Sequence, residues 1–154
     1  MNSYRIKEIV CIVLLLVFIF VLAGRKTSSA DAETVFKKAS EAMDAEGLLQ
    51  ADNQKIVENF GILPKDYAGV YYMASDDVMD VRELLVVKVG DGDEDALLSA
   101  VRTHIENKIN LFEGYASEQA ALLKKYRTKT KQGFVLFVVS EDTADVVKAF
   151  NRAV

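Results

Sequence analysis

Arg127-Thr-Lys-Thr-Lys-Gln-Gly-Phe-Val-Leu-Phe-Val-Val139 carries the contrast that decides the fold. Its first five residues alternate, with Arg127, Lys129 and Lys131 on one face and Thr128 and Thr130 on the other, which is the period of a strand. Lysines along such a strand discourage pairing with foreign strands, so this one belongs at a sheet edge. Gln132-Gly133 supplies a turn. Phe134 to Val139 is then almost continuously apolar, the mark of a central strand. The stretch predicts a hairpin with an edge strand first and a central strand second.

Upstream, two more runs have strand length and strand composition: Ala68 to Met73 (A-G-V-Y-Y-M) and Glu83 to Val89 (E-L-L-V-V-K-V). Between the pairs the period changes. Leu97, Leu98, Val101, Ile105, Ile109 and Phe112 recur at helical spacing and predict a helix over 94–113. Gly114 breaks it, and Ser117 is placed to cap a following helix that reaches about Tyr126. Before the first strands, Val35, Phe36, Ala39 and Met43 predict a helix that Gly47 stops, and 53–60 predicts another that ends at Gly61. Ser140 opens a last helix carrying Ala144, Val147 and Phe150. The expected fold is α+β in the order α-α-β-β-α-α-β-β-α. It has a four-stranded, largely antiparallel sheet and helices packed on one face.

Farther out lies a segment of another kind. Ile9 to Gly24 is sixteen residues without a charge, preceded by Arg5 and Lys7 and followed by Arg25 and Lys26. A helix of that length spans about 24 Å, between a signal-peptide core and a full membrane span. Residues 1–24 are therefore either a signal peptide, with Ser28-Ser29-Ala30 or Val21-Leu22-Ala23 as cleavage contexts, or a single-span anchor whose flanking charges snorkel. Residues 25–31 are a small, polar tether, and 32–154 form the extracytoplasmic domain. Both readings export that domain: single-pass in the cell membrane, or secreted if the signal is cleaved. Leu22-Ala23-Gly24 resembles the start of a lipobox, but Arg25 stands where the lipidated Cys belongs.

The chain has 154 residues with 19 bases and 23 acids. Four of the bases and one acid fall within 1–30, so the remainder carries 15 bases and 22 acids, a formal net of −7. An acidic domain does not attract nucleic acid. The lone Cys11 sits in the apolar segment, leaving the domain without thiol zinc ligands or a Cys nucleophile. No small-molecule cofactor is expected.

Asp91-Gly-Asp93-Glu-Asp95 resembles the start of a calcium loop, but Ala96 and Arg102 stand where Gly and a bidentate Glu belong; a helix cap explains the acids better. Asp76, Asp77 and Asp80 form an acidic group between two strands. As an alternative function, they would serve an envelope hydrolase or transferase, with or without a metal. The only histidine, His104, lies at the margin of the long helix's apolar face and has no G-x-S-x-G elbow or Cys to activate, so it is expected to be a half-buried structural residue. Lys124, Lys125, Arg127, Lys129 and Lys131 concentrate positive charge in an acidic domain; Arg127, Lys129 and Lys131 either protect an edge or contact anionic wall polymer or lipid.

Phe60-Gly-Ile-Leu-Pro-Lys-Asp66, Glu83-Leu-Leu-Val-Val-Lys-Val89, Phe112-Glu-Gly-Tyr-Ala-Ser-Glu-Gln119 and Phe134-Val-Leu-Phe-Val-Val-Ser-Glu-Asp142 together resemble the domain of unknown function 4358 family. The resemblance runs from about Val35 to the end, with Ser117 where the family often has Pro and no lipidated Cys. It implies an exported or membrane-anchored α+β domain of Gram-positive bacteria and carries no catalytic residue or ligand. Glu113, Tyr115, Glu118 and Gln119 are then either a shared interaction surface or a helix-helix corner, turned by Gly114 with Tyr115 packed below. The functional expectation is a non-enzymatic binding domain of the envelope whose partner is an envelope protein or anionic polymer.

Overall fold

A computed structural model describes residue 7, residues 9–17 and residues 27–154. The signal or anchor expected over 1–24 lies largely outside the described residues. Residues 9–17 are helical, and among the described residues no helix is long and apolar enough to cross a membrane.

From the tether onward the elements are α1 (Ala32–Ser40), β1 (Leu48–Gln50), α2 (Asn53–Phe60), a 3₁₀ turn (Pro64–Asp66), β2 (Gly69–Ser75), β3 (Glu83–Lys88), α3 (Glu94–Glu113), α4 (Ser117–Leu123), β4 (Arg127–Lys131), β5 (Phe134–Val139) and α5 (Thr143–Ala153). The fold is α+β, and every strand pair is antiparallel in the order β1-β2-β3-β5-β4. β5 lies inside and β4 forms an edge, following the contrast within 127–139.

The sheet has five strands where four were expected. The additional strand, β1, is three residues long, too short for a period of two to register in sequence. It follows Gly47, whose φ of 79° turns the chain back so that Leu48 pairs with Ser75. Helices cover both faces, not one. Leu85, Val87, Val135 and Phe137 point toward α2, α3 and α4, where they meet Ile56, Leu97, Val101, Ile105 and Leu123. Leu84, Val86, Phe134, Leu136 and Val138 point the other way onto α1 and α5, against Val35, Phe36, Val146 and Phe150. All six residues of β5 are inaccessible to solvent because it is a middle strand of a three-layer sandwich.

Three helix details differ from expectation. α4 ends at Leu123, and Ser117 opens it without a side-chain cap. In α5 the buried residues are Thr143, Val146 and Phe150, while Ala144 faces solvent; Ser140 accepts from the Asp142 amide 3.1 Å away and caps a turn before the helix. α1 closes at Ser40, and Met43 reaches the core from the loop beyond it.

The strand registers give the sheet two distinct ends. At one end lie the start of β2, the end of β3 and the β4–β5 turn, and residues 27–31 run there. The Ser28 amide donates to the Gln132 carbonyl at 2.9 Å, and Lys88 Nζ donates to the Ala30 carbonyl at 2.7 Å. The other end gathers the β2–β3 loop, the start of β5's outgoing loop and α4.

Candidate functional site

Glu83 is the first residue of β3, and its side chain shares a face with Leu85 and Val87. It is wholly buried. A buried carboxylate is tolerable only when paired and hydrogen-bonded, and Glu83 has three donors. The Tyr72 hydroxyl donates to Oε2 at 2.7 Å, His104 Nε2 lies 2.9 Å from Oε2, and Lys108 Nζ donates to Oε1 at 3.0 Å. His104 and Lys108 stand four residues apart and so occupy one face of α3. Burial pushes the Glu83 carboxyl up, but the His104 hydrogen bond and the Lys108 charge outweigh it and hold the group at about 2.

The second ring nitrogen of His104, Nδ1, faces the Asn59 carbonyl at 3.1 Å. Each ring nitrogen of His104 thus faces an oxygen, the Asn59 carbonyl on one side and the Glu83 carboxylate on the other. Its ring packs against Phe60, centroids 4.4 Å apart, and edge-on to Phe137, so it sits among aromatic rings. Burial and then the Glu83 charge push the Tyr72 phenol far up, so it stays protonated as a donor. Every polar atom of this network has a partner. With Glu83 wholly buried among these partners, the network fastens α3 to β2 and β3. His104 is thus structural, but buried rather than half-buried, and Glu83 was missed.

The three aspartates of the β2–β3 loop do not form one site. Asp76 pairs with Lys55 at 2.5 Å, beside a different groove. Asp77 Oδ1 accepts from the Met79 amide at 2.9 Å. Asp80 is gripped by Arg82 through Nε at 2.9 Å and Nη2 at 2.7 Å, and these bonds hold its carboxyl below the usual range. Arg82 also donates to the Asp44 and Glu46 carbonyls, both at 2.8 Å, tying this loop to the segment before β1. No group of three or more His, Cys, Asp or Glu suited to a metal occurs among the described residues. Asp93 caps α3 by accepting from the Ala96 amide at 2.9 Å.

Asp77 and Asp80 instead meet a second set of candidates. A groove of about 480 Å³ has Asp77, Met79 and Asp80 on one wall, Glu118, Gln119 and Leu122 of α4 on the other, and Glu141 at its end. Beside it Val78 is 81% exposed, and Leu111 and Tyr115 are exposed at the α3–α4 corner. Tyr115 is not packed below that corner: Ala116 is buried there, and the Tyr115 ring lies outside on Phe112, centroids 5.3 Å apart. Gly114 has φ −80°, open to any residue, so the turn is not imposed by glycine. Glu113 pairs with Lys124 at 2.6 Å.

The basic stretch is largely engaged. Lys125 pairs with Glu141 at 2.6 Å, Arg127 donates to the Lys125 and Tyr126 carbonyls, and Lys131 donates to the Asn151 carbonyl. Arg127, Lys129 and Lys131 stand opposite Val138, Leu136 and Phe134 on the α1/α5 face of the sheet.

A family model described as Domain of unknown function (DUF4358) matches residues 41–140, which include the groove and the buried network. No curated protein and no solved structure matches the chain.

Proposed function

The chain belongs to the DUF4358 family, a domain of unknown function, and from that premise we propose that it is a non-enzymatic, extracytoplasmic binding domain of the bacterial envelope, held at the membrane by its N-terminal segment. The observation that carries this reading is the polarity of the domain. The tether is bonded to the β4–β5 turn at one end of the sheet, while the groove and the exposed apolar side chains Val78, Met79, Leu111 and Tyr115 lie at the other. A domain fixed at its base presents such a surface outward. The local engagement of Asp76, Asp77 and Asp80 favours binding over hydrolysis, because general acid-base work needs carboxylates that converge on one reacting atom.

Among the partner classes, an envelope protein fits better than an anionic wall polymer. A polymer needs a line of free cations, whereas on the β4 strand Arg127 and Lys131 are both bonded to carbonyls.

Protease treatment of intact cells producing the full chain tests the reading. Digestion of the domain from outside, with the protein fractionating with membranes beforehand, is the expected result. A domain that resists protease until the cells are lysed would contradict it.

A further inference from the structure

The open-end groove has a composition that selects among protein partners. Its apolar part is Met79, 42% exposed, and the α4 residue Leu122, with Val78 projecting beside them. Leu122 is half-buried against the core, so Met79 and Val78 are the side chains that stand open to solvent beside it. Around that apolar strip the charges are of one sign in effect. Asp77, Glu118 and Glu141 are carboxylates, and the one cation in the lining, Arg82, is spent on Asp80, Asp44 and two carbonyls. Glu141 meets Lys125 only through two solvent-exposed side chains, a contact that an incoming cation exchanges at little cost.

We infer that this groove docks a basic amphipathic segment of a protein partner, with an apolar side chain seated between Met79 and Leu122 and lysine or arginine side chains meeting Asp77, Glu118 and Glu141. The inference deepens the binding-domain reading and rests on it. Charge selects the partner: an acidic surface is repelled by anionic lipid and nucleic acid, and a neutral segment leaves the carboxylates unanswered. The apolar strip supplies the buried anchor that a specific interface needs at its centre, and the carboxylates form its polar rim.

The test uses the full chain in nanodiscs of zwitterionic lipid and three fluorescent peptides of equal length: lysine with leucine, lysine with serine, and glutamate with leucine. Anisotropy is expected to show binding of the lysine-leucine peptide only. Glu118→Lys and Met79→Asp, both at exposed positions, are expected to weaken it at least ten-fold with melting temperatures unchanged, while Lys129→Glu leaves it as it was. Equal binding of the lysine-serine peptide, or lysine-leucine binding indifferent to both groove variants, overturns the proposal. Concentration-dependent self-association abolished by the same two variants also overturns it, by making a second copy of the chain the occupant. If the peptides fail while the domain is still digested from outside intact cells, the groove chemistry falls and the envelope reading stands.

Discussion

The two ends of the sheet are closed by different physics. At the end where residues 27–31 run, backbones approach so closely that side chains are excluded. A Cβ on Gly69 would stand 2.8 Å from that of Ala32, one on Gly90 2.8 Å from that of Ala68, and one on Gly92 2.5 Å from the Tyr67 ring and 2.9 Å from the Asp66 carbonyl. At the groove end, Gly47 and Gly114 have nothing within 4 Å of such an atom. That end is held instead by side-chain bonds: Arg82 ties the β2–β3 loop to the segment before β1, and beneath it Glu83 binds Tyr72, His104 and Lys108. One end is thus closed by backbone contact and the other by side-chain hydrogen bonds and ion pairs.

The largest effect is expected at Glu83. Glu83→Ala removes the shared partner of Tyr72, His104 and Lys108 and should cost about 3–5 kcal/mol in urea denaturation. Replacing Glu83 and His104 together by Leu should recover much of the loss, since an apolar pair needs no partner; a double variant as unstable as the single one would break the account of the network. Next comes the tethered end. Gly90→Ala combines a φ of 61° with a backbone-adjacent clash, and Gly92→Ala meets a ring and a carbonyl, so each should cost about 1–3 kcal/mol.

The pH dependence sharpens the same contrast. Glu83 is held at about 2 against an ordinary 4.5, so its contribution is full above pH 4.5 and is lost as the pH falls from there through about 2. Tyr72 is raised above its ordinary 10, so its contribution is full below pH 10 and is lost as the pH rises beyond it. In Glu83→Gln the acid limb of the stability profile should flatten, whereas in Gly90→Ala it should keep the wild-type slope at lower overall stability. The smallest effects belong to the open surface: Gly114→Ala and Val78→Ser should each change stability by no more than about 0.5 kcal/mol.

The sequence revealed the sheet's interior better than its limits. Phe134 to Val139 announces a central strand because six apolar residues in a row need cover on both sides, and that same run already argued for helices on both faces. The one-face expectation treated β5 as central within the sheet and did not ask what covered its second side. β1 was hidden because three residues carry no period; its place is set by the Gly47 turn and the partner strand. Glu83 could have been read: alternation puts it on the face of Leu85 and Val87, and His104 and Lys108 form a four-residue pair on the one long helix. The groove could not, since Asp77 and Glu118 are far apart in sequence and only the fold brings them into one lining. Tyr115 shows the opposite limit, an aromatic expected in a corner that the backbone turns outward.

Residues 27–31 bond to one end of the sheet and the groove opens at the other, and the proposed function depends on that polarity. The six residues of β3 separate the ends by about 20 Å. That distance is measurable on the full chain in liposomes, with Cys11→Ser and a single fluorophore-labelled cysteine at Asp91 on the tethered end or at Val78 on the groove end, read against a quencher attached to lipid headgroups. Stronger quenching at position 91 than at position 78 is the predicted result. Equal quenching at the two positions, or stronger quenching at 78, would contradict the account.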